Sequence, residues 1–315
     1  MGCERSGPGS PWEGLRSERA HPKASNIEEW SLPEILRFIN EEDKRVPLAV
    51  ERELPNIERA AAVILDRLGR GGRLFYVGAG TSGRLGVLDA VELPPTFGTS
   101  PEMVQGIIAG GKEAMFRARE GREDDESAGR REITRRGVGP KDVVFGLSVA
   151  GTARFVIGAL KRAKELGATT IAFTCNPGSE ITAHADVVIC PDVGPEVIAG
   201  STRMKGGTAE KLVLNMISTA VMIKLGRVEK GLMANLRAWS RKLRERAIRI
   251  VQSLAGCSRE EAEEALEVCN WEVRVAALVV AAKVDKEVAK EALERNGWNF
   301  KGALHSLVER GEGHA

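Results

Sequence analysis

The chain has 315 residues, with 46 Lys and Arg set against 44 Asp and Glu. A net charge of +2 gives no electrostatic basis for a dedicated nucleic-acid or membrane-surface binder, while a 43% apolar content supplies a sizeable core and excludes disorder over most of the length. No apolar run approaches the ~18 residues of a membrane span, the first residues hold no signal-peptide stretch, and five cysteines in no CxxC pair argue against a disulfide scaffold or zinc ribbon, so a reducing cytoplasm is expected.

Residues 1–24, rich in Gly, Pro, Ser and charge, are expected to form a disordered tail. Met1-Gly2-Cys3-Glu4-Arg5-Ser6 matches the myristoylation pattern, but no second anchoring signal follows, and it is read as a chance match. An N-terminal helical segment is expected over 25–58. Ser31-Leu32-Pro33-Glu34 has the form of a helix start, with Ser as N-cap and Pro in the first turn. Ile57, Ala60, Ala61, Ile64 and Leu68 then recur at helix spacing.

The pattern changes over 59–228. Strand-length apolar runs occur at Leu74–Val77, Val104–Ile108, Val143–Leu147, Thr170–Thr174 and Val187–Ile189, with helical stretches such as Ala153–Leu166 between most of them. That alternation predicts an α/β fold, a doubly wound parallel sheet covered on both faces. A long apolar helix is expected over 207–226. After Val228 no strand signal remains, and 229–315 reads as a helical connector followed by a small helical bundle. The basic stretch from Arg237 to Arg249 reads as a solvated helix face, and Ser258-Arg-Glu-Glu261 as a capping box.

Gly is 35 of 315 residues, concentrated at 71–86, 106–111 and 194–207. Clustered glycines mark tight turns or close approach of backbone to a ligand. Gly78-Ala-Gly-Thr-Ser-Gly83 follows a strand and opens a helix, an arrangement that aims backbone N–H groups at an anion. A dinucleotide fingerprint also wants an acid at the end of the next strand, but that strand ends Gly106-Ile-Ile-Ala-Gly-Gly111. The hydroxyls of Thr81 and Ser82 suit a phosphate monoester better, and a purely structural turn stays open. Ser148-Val-Ala-Gly-Thr152 forms a second hydroxyl-bearing turn at the same end of the sheet, so the two turns are placed to enclose one phosphate with neutral donors.

Gly78–Gly83 with Arg84 resembles the first phosphate turn of sugar isomerase (SIS) domains. The segment Gly194–Lys211, with Gly200-Ser-Thr-Arg-Met-Lys-Gly-Gly207 at its centre, closely resembles the signature shared by bacterial N-acetylmuramic acid 6-phosphate etherases and the glucokinase regulatory protein. Ile39–Lys44, Val46–Glu51, Asp89–Gly98, Glu120–Asp124 and Asn176-Pro-Gly178 agree with the etherases, and the C-terminal bundle looks like a ubiquitin-associated-type module. The resemblance covers nearly the whole chain. It implies a lyase that releases D-lactate from N-acetylmuramic acid 6-phosphate in peptidoglycan recycling, a homodimer, and no metal or organic cofactor.

Cleaving an unactivated ether requires a base near C2 of the ring-opened sugar and an acid near the lactyl oxygen. By resemblance, Glu92 is the acid and Glu120 the base. Val91 and Leu93 flank Glu92, which predicts its partial burial, and Pro94-Pro95 is expected to end its helix. Gly80, Thr81, Ser82, Gly83, Ser148, Thr152, Ser201, Thr202 and Lys205 are the candidate phosphate and sugar contacts, with Glu196 a possible further acid. Ten helical residues separate Ser82 from Glu92, roughly 15 Å, which is longer than the substrate's phosphate-to-C3 span, so Glu92 is expected to serve a neighbouring subunit. Three departures stand out, one of them Asp89-Ala-Val-Glu-Leu93 in place of the family's Asp-Ala-Ser-Glu-Cys. The family's Ser-Gly-Arg-Thr-Pro turn is Ala150-Gly-Thr-Ala-Arg154 here, and its N-terminal Thr-Glu-x-x-Asn pattern is Ser17-Glu-Arg-Ala-His21. A non-catalytic sugar-phosphate sensor and an aldose–ketose isomerase are the alternative readings.

Overall fold

The apolar runs Leu74–Gly78 and Val143–Leu147 carry no polar face to solvate. In the structure, a computed structural model describing residues 14–233 and 241–312, both are fully buried strands at the centre of a parallel sheet. Among the described residues three α-helices precede the sheet: α1 (Leu32–Asp43), α2 (Arg45–Glu51) and α3 (Leu54–Gly69). The first begins where the sequence predicts, with the Ser31 N–H donating to the Glu34 carboxylate at 2.8 Å. Then follow β1 (Leu74–Gly78), α4 (Gly80–Phe97), β2 (Val104–Ile108), α5 (Glu126–Arg135), β3 (Val143–Leu147), α6 (Arg154–Glu165), β4 (Thr169–Phe173), β5 (Val187–Ile189) and α7 (Lys205–Lys224).

Among the described residues the sheet has five strands, all parallel, in the order β2-β1-β3-β4-β5. This is the expected doubly wound α/β architecture. The strand order reverses between β1 and β3, and Gly78 pairs in register with Leu147, so the turns leaving these two strands emerge side by side. Open α/β sheets take ligands at that reversal, beyond the carboxyl ends of the strands. On one face α6 buries Phe155, Val156 and Leu160 in a core with Phe75, Val77 and Val144. α5 crosses α6 backbone to backbone: a Cβ on Gly129 would stand 1.9 Å from the Phe155 carbonyl oxygen, and one on Gly158 2.1 Å from that of Glu126. This crossing holds the acidic run before α5 against the start of α6.

The chain divides into two compact units. The first takes the residues up to Ala90 and Glu102–Ser218; the second takes Val91–Pro101 and the residues from Thr219 onward. The C-terminal stretch of the second unit starts inside α7. It contains α8 (Arg241–Ala255), α9 (Arg259–Val268), α10 (Val273–Ala282), α11 (Lys286–Arg295) and α12 (Phe300–Glu312). Ile250, Val251, Leu266, Leu278, Leu293 and Phe300 form its core. The buried Arg274 guanidinium donates to the carbonyls of Gly226 and Trp298, and burial lowers its pKa to about 10. On α8, Arg244 lies over the Trp271 ring at 4.9 Å, while Ala247, Ile248 and Val251 turn inward. No helix among the described residues is long and apolar enough to cross a membrane.

Two local expectations are corrected. Residues 14–24 are packed rather than part of a tail. The Ser17 N–H donates to Asn176 Oδ1 at 3.2 Å, the Gly200 N–H donates to the Ser17 carbonyl at 2.8 Å, and Arg16 pairs with Asp192. Specific polar partners, together with buried Leu15 and the edge-to-face contact of His21 with Phe38, anchor this segment, and composition does not reveal such contacts. The proline pair does not end α4 at once: the helix runs on to Phe97, because proline's fixed φ is helical and its cost falls on the hydrogen bonds and sterics of the preceding turn. The myristoylation pattern and Arg237 lie outside the described residues.

Candidate functional site

Two short turns build the site. After β1 the chain passes directly into α4, and glycine at both ends of the turn lets helix and strand close up. A Cβ on Gly78 would stand 2.5 Å from the Gly83 nitrogen, and one on Gly83 2.8 Å from the Gly78 oxygen. The first N–H groups of α4 have no acceptor within the helix, and the helix dipole adds positive potential there. After β3, Ser148 Oγ accepts the Gly151 N–H at 3.1 Å, which leaves its own O–H free to donate outward. The turn then enters α6.

Between these turns lies a cleft of about 210 Å³. Six predicted residues line it: Gly80, Thr81, Ser82, Ser148, Thr152 and Thr202. Ala150 and Ala153, where the family pattern has hydroxyls, line it too. So do three acids that sequence reasoning did not place there, Glu18, Glu123 and Asp124. A second cleft of about 170 Å³ shares Gly80, Thr81 and Glu123 with the first and adds Arg84 and Glu120. The Arg84 guanidinium donates to the carbonyls of Met115 and Arg117, bracing the loop that leads to Glu120.

Glu123 is the acid common to both clefts. Its carbonyl oxygen accepts the Phe155 N–H at 2.8 Å, which pins its backbone to the first turn of α6. Although much of the side chain meets solvent, desolvation raises its carboxyl pKa, and the like charges of Asp124 and Glu120 raise it further. Glu120 itself is exposed and lines only the second cleft.

The remaining candidates fall elsewhere. Glu92 is exposed, as is Val91 at 58%, because the buried positions of this part of α4 are Ala90, Leu93 and Phe97. Its expected partial burial is therefore corrected: one of the two flanking apolar side chains faces water. Gly83 serves strand–helix contact, and Ser201, half-buried, is not among the lining residues. Lys205 is 1% exposed and places its ammonium 2.7 Å from Glu42 Oε2, away from the cleft walls. Glu196 is also structural: its two carboxylate oxygens accept the N–H groups of Lys205 and Gly206 at 2.9 Å each, satisfying the head of α7. Glu210, one turn further along α7, is fully buried with Oε2 2.7 Å from Ser82 Oγ. Periodicity could mark Glu210 as inward-facing but not show what it meets. The signal for Glu18 was the Ser17-Glu18 remnant of the family's N-terminal pattern.

The family described as glucokinase regulatory protein N-terminal SIS domain matches residues 56–164, and the SIS domain family matches 132–220. The chain is 48% identical over 293 residues to the N-acetylmuramic acid 6-phosphate etherase of Clostridium beijerinckii, covering 93% of this chain and 96% of that one. It is 50% identical over 302 residues to the etherase of Caldanaerobacter subterraneus, covering 95% and 99%. Among solved structures, a phosphoheptose isomerase from Francisella tularensis superposes with a TM-score of 0.49 at 15% identity, over 62% of this chain and 100% of that one. On the strength of near-full-length identity at this level, the chain belongs to the family of N-acetylmuramic acid 6-phosphate etherases.

Proposed function

We propose that this protein is a carbon–oxygen lyase that releases D-lactate from N-acetylmuramic acid 6-phosphate and leaves N-acetylglucosamine 6-phosphate, acting in the cytoplasm on peptidoglycan-derived sugars. The observation that carries this reading is a single cleft in which two hydroxyl-bearing turns face Glu123 and Asp124. Backbone amides of α4 with the hydroxyls of Ser82, Ser148, Thr152 and Thr202 grip the phosphate. Ring opening makes C2 acidic; a carboxylate removes its proton, the C3–O bond breaks as lactate leaves, and water then adds across the resulting double bond.

The base role expected at Glu120 falls on Glu123. It lines the hydroxyl cleft and has a raised pKa, which suits a base working near neutral pH. Glu120 acts by its charge on Glu123. Glu92 protonates the departing lactate in the site of a second subunit. Support comes from its position three helical turns beyond Ser82 and from exposed Leu88 and Val91, which share its side of α4 and favour a helix face covered in a homodimer.

Purified protein incubated with N-acetylmuramic acid 6-phosphate tests the assignment. Release of lactate with N-acetylglucosamine 6-phosphate supports the lyase. Binding without lactate makes the chain a sensor, and a rearranged sugar makes it an isomerase. For the shared site, inactive Glu92→Gln and Glu123→Gln proteins, dissociated and re-associated together, should regain about a quarter of wild-type activity, the statistical yield of one competent site per mixed dimer.

A further inference from the structure

Ser82 does not face its cleft alone. Behind it, Glu210 is completely buried, with Oε2 2.7 Å from the Ser82 hydroxyl and Oε1 without a partner among the described residues. An ionised carboxylate would leave roughly half a charge on an unpartnered oxygen out of water, a costly arrangement; a carboxylic acid leaves only a carbonyl oxygen.

We propose that Glu210 works as a neutral acid that positions Ser82: its carboxyl O–H donates to Ser82 Oγ, and this turns the Ser82 hydrogen into the cleft, where it donates to the phosphate oxygen of the bound sugar. The proposal rests on the sugar-phosphate reading above. The two bonds run in one direction, acid to hydroxyl to phosphate, and such chains strengthen one another. Ionisation reverses the arrangement. A Glu210 carboxylate would draw the Ser82 hydrogen to itself, present lone pairs to the phosphate and add a like charge behind it.

The surroundings favour the neutral form. Burial raises the Glu210 pKa to about 8, opposed only by the Ser82 hydrogen bond. The titratable groups on the packed elements have partners or are neutral. On α7, Lys205 is paired with Glu42 and Lys211 donates to Asn215. Beyond β4, the buried Cys175 thiol is pushed well above its ordinary value. On α4, Asp89 accepts from Tyr76 and Ser218. Glu196 accepts the two amides at the head of α7, and across the cleft stand Glu123 and Asp124.

The test is calorimetric binding of N-acetylglucosamine 6-phosphate to the full chain between pH 7 and 9.5, above the second phosphate pKa near 6. Wild-type affinity should fall with rising pH, by up to about thirtyfold for a group titrating near 8. Glu210→Gln, whose amide N–H can donate to Ser82 as the neutral acid does, should bind comparably at pH 7 and change less than about threefold across the range. Glu210→Ala should bind more weakly at every pH. The same pH profile in wild type and Glu210→Gln would overturn the inference while leaving the sugar-phosphate reading intact. No wild-type binding at any pH would overturn both.

Discussion

Lys205 Nζ stands 2.7 Å from Glu42 Oε2, and both side chains are almost wholly out of water. The same oxygen lies 3.3 Å from His21 Nε2, so one carboxylate joins the head of α7, the middle of the N-terminal helices and the segment that carries Glu18 to the cleft. Burial alone would raise the Glu42 pKa. The Lys205 hydrogen bond, with the charges of Lys205, Arg45 and His21, outweighs that and holds it below the usual carboxylate value. The signature's lysine is thus held in a buried ion pair and is not among the residues that line the hydroxyl cleft.

Removing one member of a buried ion pair strands the other. Lys205→Met should destabilise the chain by about 3–5 kcal/mol in denaturant unfolding. The double variant Lys205→Met/Glu42→Leu should recover much of that loss, since it strands neither member of the Lys205–Glu42 pair. A double variant as unstable as the single would show that the pair is not what the lysine contributes.

Glu123→Gln should lower lactate release by about 10²–10⁴-fold while leaving sugar-phosphate binding within a few-fold. Glu120→Gln should do less, and in a particular direction. A base works when deprotonated, so activity falls as pH drops through the Glu123 pKa. Deleting the Glu120 charge removes one of the influences that raise that pKa, so the acid limb of the kcat/KM profile should move to lower pH. A severe loss in Glu120→Gln with a mild one in Glu123→Gln would return the base role to Glu120.

Ala153 occupies the N-cap of α6 with extended backbone, φ −60° and ψ 109°, and supplies no side-chain acceptor. Ala153→Ser adds a hydroxyl that can accept from the first turn of the helix. It should raise stability by about 1 kcal/mol, read as an increase in Tm. The same hydroxyl lines the cleft and should tighten phosphate binding. Unchanged Tm and affinity together would show that the hydroxyl finds neither partner.

The strands were legible because each is a short apolar run bounded by turn residues. Val104–Ile108, Val143–Leu147 and Val187–Ile189 fall where the sequence predicts, and the others shift by one residue. The hydroxyls of the two turns were legible because both turns follow the carboxyl ends of strands, where open α/β sheets take ligands. The acids were not. Glu123, three residues beyond Glu120, lies in an acidic run where every carboxyl looks alike; the Phe155 N–H on its carbonyl and the α5–α6 crossing single it out, and both join residues distant in sequence. Lys205 and Glu210 each sit opposite a partner more than 100 positions away, Glu42 and Ser82, so spacing in sequence carries no trace of either pairing.

The proposed reaction depends on proton removal at C2 by a carboxylate in the hydroxyl cleft. Running the reaction of N-acetylmuramic acid 6-phosphate in D₂O and reading the product by NMR tests this directly. N-acetylglucosamine 6-phosphate should carry solvent deuterium at C2, and Glu123→Gln should slow the formation of labelled product and of lactate in step, by about 10²–10⁴-fold. Lactate released with the original hydrogen retained at C2 would contradict the elimination and the role given to Glu123.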